Sequence, residues 1–172
     1  MSQEYYMSCE IVKAHFAHIH IVPINSWETA VDRFWVNVLN KYFTRNYNFD
    51  VITQTRPDST RELHTEITVQ RFLVYESKCA YEGRTARWKE ALDQLEGYLQ
   101  ATFINEPGTL GPLYGAVAIG RFVRFYVIEH KNDRMHDFNA KPGGEAYHVE
   151  GDEEDIHGIL ETIRDAAIQL KS

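Results

Sequence analysis

Phe72-Leu73-Val74-Tyr75-Glu76-Ser77-Lys78 is the stretch that decides the fold. Its apolar, β-branched and aromatic run reads as a strand leaving an apolar core. The strand ends in Glu-x-Lys. Residues two apart on a strand share a side. Glu76 and Lys78 therefore present a carboxylate and an ammonium next to each other. An exposed ion pair on a sheet would use the same two residues, so the neighbouring segments must separate the readings.

Upstream, Leu63 to Cys79 has strand composition throughout, with Ile67, Val69, Phe72 and Val74. Strands usually run about 5–6 residues. The segment is too long for one, which predicts a bend, a bulge or a tight reversal inside it. Phe49 to Arg56 reads as another strand, and Pro57-Asp58-Ser59-Thr60 as a turn or a strand start. Before it, Trp27, Ala30, Val31, Phe34, Trp35, Val38, Leu39 and Tyr42 recur at helical spacing and predict a helix over Trp27 to Phe43, with Ser26 as its N-cap. Met1 to Ser8 reads as a loose arm. His15 to Val22 reads as a short strand or the run-in to a helix.

Downstream, Trp88, Ala91, Leu92, Leu95, Tyr98 and Leu99 line one face of a helix predicted over Thr85 to Thr102. Arg87 and Gln94, seven apart, share its polar flank. Asn105 to Pro112 is a loop. Leu113 to Ile119 and Phe122 to Glu129 form a strand pair punctuated by Gly120. Lys131 to Gly144 is a long loop or hairpin arm, and Tyr147 to Val149 a short strand. Asp152 to Lys171 is a last helix, whose first turn carries Asp152, Glu153, Glu154 and Asp155 as the helix dipole favours. The order predicts a single α/β domain over residues 1–172, a mixed β-sheet flanked by helices.

The chain has 172 residues, a hydrophobic fraction of 44% and a net charge of -7. This composition excludes a disordered chain. No apolar run reaches the roughly 18 residues of a membrane span, so no membrane partner is expected. The acidic balance argues against nucleic-acid binding by bulk charge alone, though not against a local basic cleft. Cys9 and Cys79 are too few for a disulfide framework or a four-cysteine zinc site. The N-terminus has no secretory pattern, so an intracellular setting, cytoplasmic or nuclear, is the expectation.

The order helix, strand, Pro-Asp, apolar strand, Glu-x-Lys, helix with a polar flank, strand pair resembles the PD-(D/E)XK nuclease-like superfamily, the fold of many restriction and repair endonucleases. The likeness is closest to fungal hypothetical proteins of that type. It rests on Tyr75 to Cys79, Trp88 to Leu99 and Leu113 to Phe125, and covers roughly Trp27 to Phe125. It implies a magnesium ion held by two acids beside a scissile phosphate of nucleic acid. By this resemblance Glu76 is the second metal acid and Lys78 the catalytic lysine. Gln94, with Arg87, lends the polar helix contribution. Glu28 stands where the family often places a helix acid. Arg84 and Arg87 would add basic groups for substrate. The first acid has three candidates, Asp58 ahead of Glu66 and Glu66 ahead of Asp50. Asp58 matches Pro-Asp literally, and Glu66 precedes an apolar strand.

Two other functions fit the same fold. One is a non-nuclease enzyme acting on a small apolar metabolite by general acid/base chemistry. The other is a catalytically inactive homodimeric binding protein. Remaining features add little. His18-x-His20 would put two imidazoles on one face of a strand, without a third metal ligand. Gly108-x-x-Gly111 lacks the Lys-Ser/Thr of a phosphate loop. Ser77 has no nucleophile elbow, and Cys79 reads as a small buried residue. Arg121 and Arg124 fall on opposite sides of their strand, so they make no continuous basic track.

Overall fold

The computed structural model describes residues 5–21, 27–44, 51–57, 63–69, 73–78, 84–105 and 111–170; the three strands within 51–78 are described by backbone course and register. The element order is α1 (Glu10–Ile21), α2 (Trp27–Tyr42), β1 (Val51–Pro57), β2 (Leu63–Val69), β3 (Leu73–Lys78), α3 (Arg84–Asn105), β4 (Leu113–Ile119), β5 (Phe122–Ile128), β6 (His136–Asp137), β7 (Tyr147–His148) and α4 (Glu153–Gln169). The strands form one seven-stranded sheet in the order β1-β2-β3-β4-β5-β6, with β7 also on β5. The β3–β4 pair is parallel and the others are antiparallel, so the sheet is mixed.

The parallel pair follows from connectivity. A helix between two neighbouring strands returns the chain to the same end of the sheet. Here α3 leaves the Lys78 end of β3, runs back over the sheet and delivers β4, with Leu73 opposite Tyr114 and Lys78 opposite Ile119. Two glycines make tight passages possible. Gly120, at φ 59°, sits in the two-residue reversal between β4 and β5. Gly115 lies under α3, where an added Cβ would stand 2.7 Å from Leu95 Cδ2.

At β4 and β5 the sheet is buried on both sides. On one face α1, α2 and α4 close over Tyr114, Ala116, Ala118, Val123, Phe125 and Val127. Phe34, Trp35, Val38 and Leu39 of α2 are almost fully buried there. On the other face Ala91, Leu95 and Leu99 of α3 cover Leu113, Val117, Ile119 and Ile128. The apolar stripe predicted for Trp27 to Phe43 is thus the inner face of α2 from Ala30 onward. The reversal expected inside Leu63 to Cys79 separates β2 from β3.

Two expectations are corrected. Residues 5–8 are no loose arm. Tyr6 is fully buried against Phe34, and its hydroxyl donates to the Val149 carbonyl. Lys41 Nζ donates to the Tyr5 carbonyl at 2.6 Å. One aromatic in a polar stretch carries no periodicity, so its docking is invisible locally. Between His15 and Val22 the chain is helical through Ile21, not a strand. Positions 18 and 20 then stand about 200° apart around α1, which removes the shared face a His-x-His metal site needs. Among the described residues no group of three or more His, Cys, Asp or Glu side chains could hold a metal. No described helix is long and apolar enough to cross a membrane.

Candidate functional site

The register brings two of the candidate acids together. Glu66 on β2 lies directly opposite Glu76 on β3, and Gln54 on β1 lies opposite Glu66. Glu76 in turn pairs with Val117, and Val117 with Arg124. Directly opposed residues belong to the same face of a sheet. Val117 is fully buried beneath α3. Positions 54, 66 and 76 therefore form a row on the α3 face, and position 78 is the next on that face along β3.

The helix above supplies a polar flank on the matching side. Positions 87 and 94 are two turns apart and share a flank of α3. Glu96 is about 200° round from Gln94, across the buried stripe of Ala91, Leu95 and Leu99. Glu96 Oε1 accepts from the Met135 amide at 3.2 Å, next to β6 and beyond β5. The Glu96 flank thus faces β5 and β6, so the flank of positions 87 and 94 faces β3 and β2. Gln94 Oε1 is buried there and has no hydrogen-bond partner among the described residues. Helix α3 packs on β3 and β4, which puts the Glu66 position at the margin of the helix.

The other end of the row is occupied structurally. The Arg124 guanidinium lies 5.0 Å over the Trp88 ring, and its Nη2 donates to the Gly144 carbonyl at 2.6 Å. Burial pushes the nearby Tyr126 phenol up to about 12, against the opposing pull of Arg124. It stays protonated at neutral pH. Arg121 lies 4.1 Å over Phe16, on the opposite face from Arg124. The expectation that these two arginines form no continuous track agrees with their places.

Not every proposed site residue joins the row. Asp58 and Asp50 lie outside the described residues. Glu28 is on α2, which covers the opposite face of the sheet from α3. Positions 84 and 87 are in the first turn of α3, at the Lys78 end of β3. The opposition of Glu66 and Glu76 rests on pairing between distant segments, which no local pattern carries. Against protein-family models, curated proteins and solved structures, the chain gives no match.

Proposed function

We propose that the protein is a magnesium-dependent phosphodiester hydrolase of the PD-(D/E)XK nuclease-like type, acting on nucleic acid. The observation that carries this reading is the direct opposition of Glu66 and Glu76, with Lys78 next along the same face. Opposed residues on antiparallel strands have Cβ atoms about 4.5–5.5 Å apart. That spacing lets two carboxylates share one hard cation, whose oxygen ligands sit about 2.0–2.1 Å away for magnesium. The donor set therefore fits the group the resemblance implies, with Glu66 and Glu76 as the residues that hold it. The order α2-β1-β2-β3-α3-β4-β5 supports the same reading.

Magnesium bound there supplies Lewis acidity beside the scissile phosphate. Lys78 stabilises the negative charge that develops on the phosphate and orients the attacking water. Gln94, whose amide oxygen is buried on the facing flank of α3, positions that water or the Lys78 ammonium by accepting a hydrogen bond.

The test is cleavage of end-labelled single- and double-stranded DNA and RNA in magnesium or manganese. Expected is metal-dependent cleavage that falls by about 10²–10⁴-fold in Lys78→Ala and is lost in Glu76→Gln, with circular dichroism unchanged. Absence of cleavage on all four substrates in both metals would overturn the reading.

A further inference from the structure

We propose that Arg56 and His64 are phosphate-binding residues of this site, forming with Lys78 a basic row that receives the backbone phosphates of a nucleic-acid strand. The inference rests on the nuclease-like reading of Glu66 and Glu76 and extends it to two residues outside that reading.

Placement carries the proposal. Arg56 on β1 lies directly opposite His64 on β2, just as Gln54 lies opposite Glu66. Because β2 and β3 are antiparallel, the step from Glu66 to His64 and the step from Glu76 to Lys78 lead to the same end of the sheet. The α3 face thus has two adjacent rows. Gln54, Glu66 and Glu76 make the first; Arg56 and His64 make the second, with Lys78 at the same end, two residues past the last β2–β3 pair. At a rise of about 3.3 Å per residue the rows are roughly 6.6 Å apart.

The distribution of charge-bearing residues over the two faces is one-sided. Arg56, His64, Glu66, Glu76 and Lys78 are all the Asp, Glu, His, Lys and Arg residues of β1, β2 and β3. Every one falls on the α3 face by register. The α2 face carries Val51, Leu63, Ile67, Val69, Leu73 and Tyr75 instead. Along β2 and β3 each strand carries one acid and one base. Here the signs separate by row, acids in one and bases in the next.

That separation suits a phosphodiester. Two carboxylates alone repel a polyanion, and the whole chain carries a net charge of -7. Cationic groups beside the acids are what admits the strand. An arginine fork matches a phosphate in bidentate geometry, and a neutral imidazole still donates one N–H. The first turn of α3, with Arg84 and Arg87, lies at the same end of the sheet.

The experiment is fluorescence anisotropy of the full chain with fluorescein-labelled single-stranded DNA of about 20 nucleotides, in EDTA, over a salt series. EDTA removes cleavage and metal from the readout. Expected is that Arg56→Gln weakens binding at least fivefold and flattens the slope of log K against log[salt] by about 0.7, the value for one phosphate contact on a single strand. Arg56→Lys restores the slope, which separates a lost charge from a damaged fold. The double variant Arg56→Gln/His64→Gln binds more weakly than either single variant, whereas Glu76→Gln binds no more weakly than the wild type. An Arg56→Gln variant with wild-type affinity and slope, or a wild-type chain that does not bind the oligonucleotide, overturns the inference. Binding that depends on Arg56 without any hydrolysis in magnesium or manganese sinks the nuclease reading alone. Hydrolysis together with unaltered binding by Arg56→Gln sinks this inference alone.

Discussion

Asp152 shows how one residue of the acidic surplus is used. It opens the run Asp152 to Asp155, yet its side chain makes no capping bond to its own helix. Its Oδ2 accepts from Lys141 Nζ at 2.7 Å and from the His148 amide at 2.6 Å. Partial burial would raise its pKa. The bonds from Lys141 and His148 outweigh it and hold the carboxyl below its ordinary range. A carboxyl depressed on folding binds fewer protons in the folded state. Its stabilisation is then complete above the unfolded-state value of about 3.9 and is lost as the pH falls through the lower folded value. Asp152→Asn should lower the melting temperature at pH 7 by about 2–4 °C, the shift that roughly 1 kcal/mol makes in a chain of this size. The difference from wild type should vanish on acidification into the range of the folded value. Melting curves across pH 2–7 check it, and a gap that persists undiminished at pH 2 would contradict this role. Asp152 thus binds the loop to α4, Glu153 accepts from the Met7 amide, and neither acid belongs to the sheet face that carries Glu76.

At the scale of elements, the seating of α3 decides the geometry of the site. The helix rests on β4 through Leu95 over Gly115, and both Leu95 and its neighbours Ala91 and Leu99 are buried. Gly115→Ala would place a methyl 2.7 Å from Leu95 Cδ2, so the fully buried leucine must shift. Overpacking of this kind costs about 1–3 kcal/mol. Chemical denaturation of Gly115→Ala, Leu95→Val and the pair should show the second change recovering part of the loss. Simple additivity would mean that the two residues do not meet. The helices α2, α3 and α4 are legible in the sequence because each has a long apolar stripe at helical spacing. The pair β4–β5 is legible from two apolar runs around Gly120. The first helix is not, because His15 to Ile21 mixes a short alternation with a helical run. Nor is the docking of residues 5–8, which depends on one tyrosine filling a distant cavity.

At the scale of the whole molecule, the sheet sorts its strands by face. Long helices cover apolar residues on both sides of β4 and β5, whereas the Asp, Glu, His, Lys and Arg residues of β1, β2 and β3 all belong to the α3 side. Glu76, Lys78, Arg87 and Gln94 were readable from local spacing, since residues two apart on a strand and seven apart on a helix share a face. Glu66 was readable only as one of three candidate acids, and Arg56 and His64 were not readable as site residues. Their company is set by register between strands, and a shift of one residue would send each to the other face. The only local trace is the alternation in Gln54-x-Arg56 and His64-x-Glu66. The central claim, that Glu66 and Glu76 share one divalent ion, is tested most directly by manganese titration followed by electron paramagnetic resonance. Expected is one bound ion per wild-type chain, with affinity reduced more than about tenfold, or roughly 1.4 kcal/mol, in Glu66→Gln and in Glu76→Gln alike. Wild-type manganese affinity in a folded Glu66→Gln variant would contradict it.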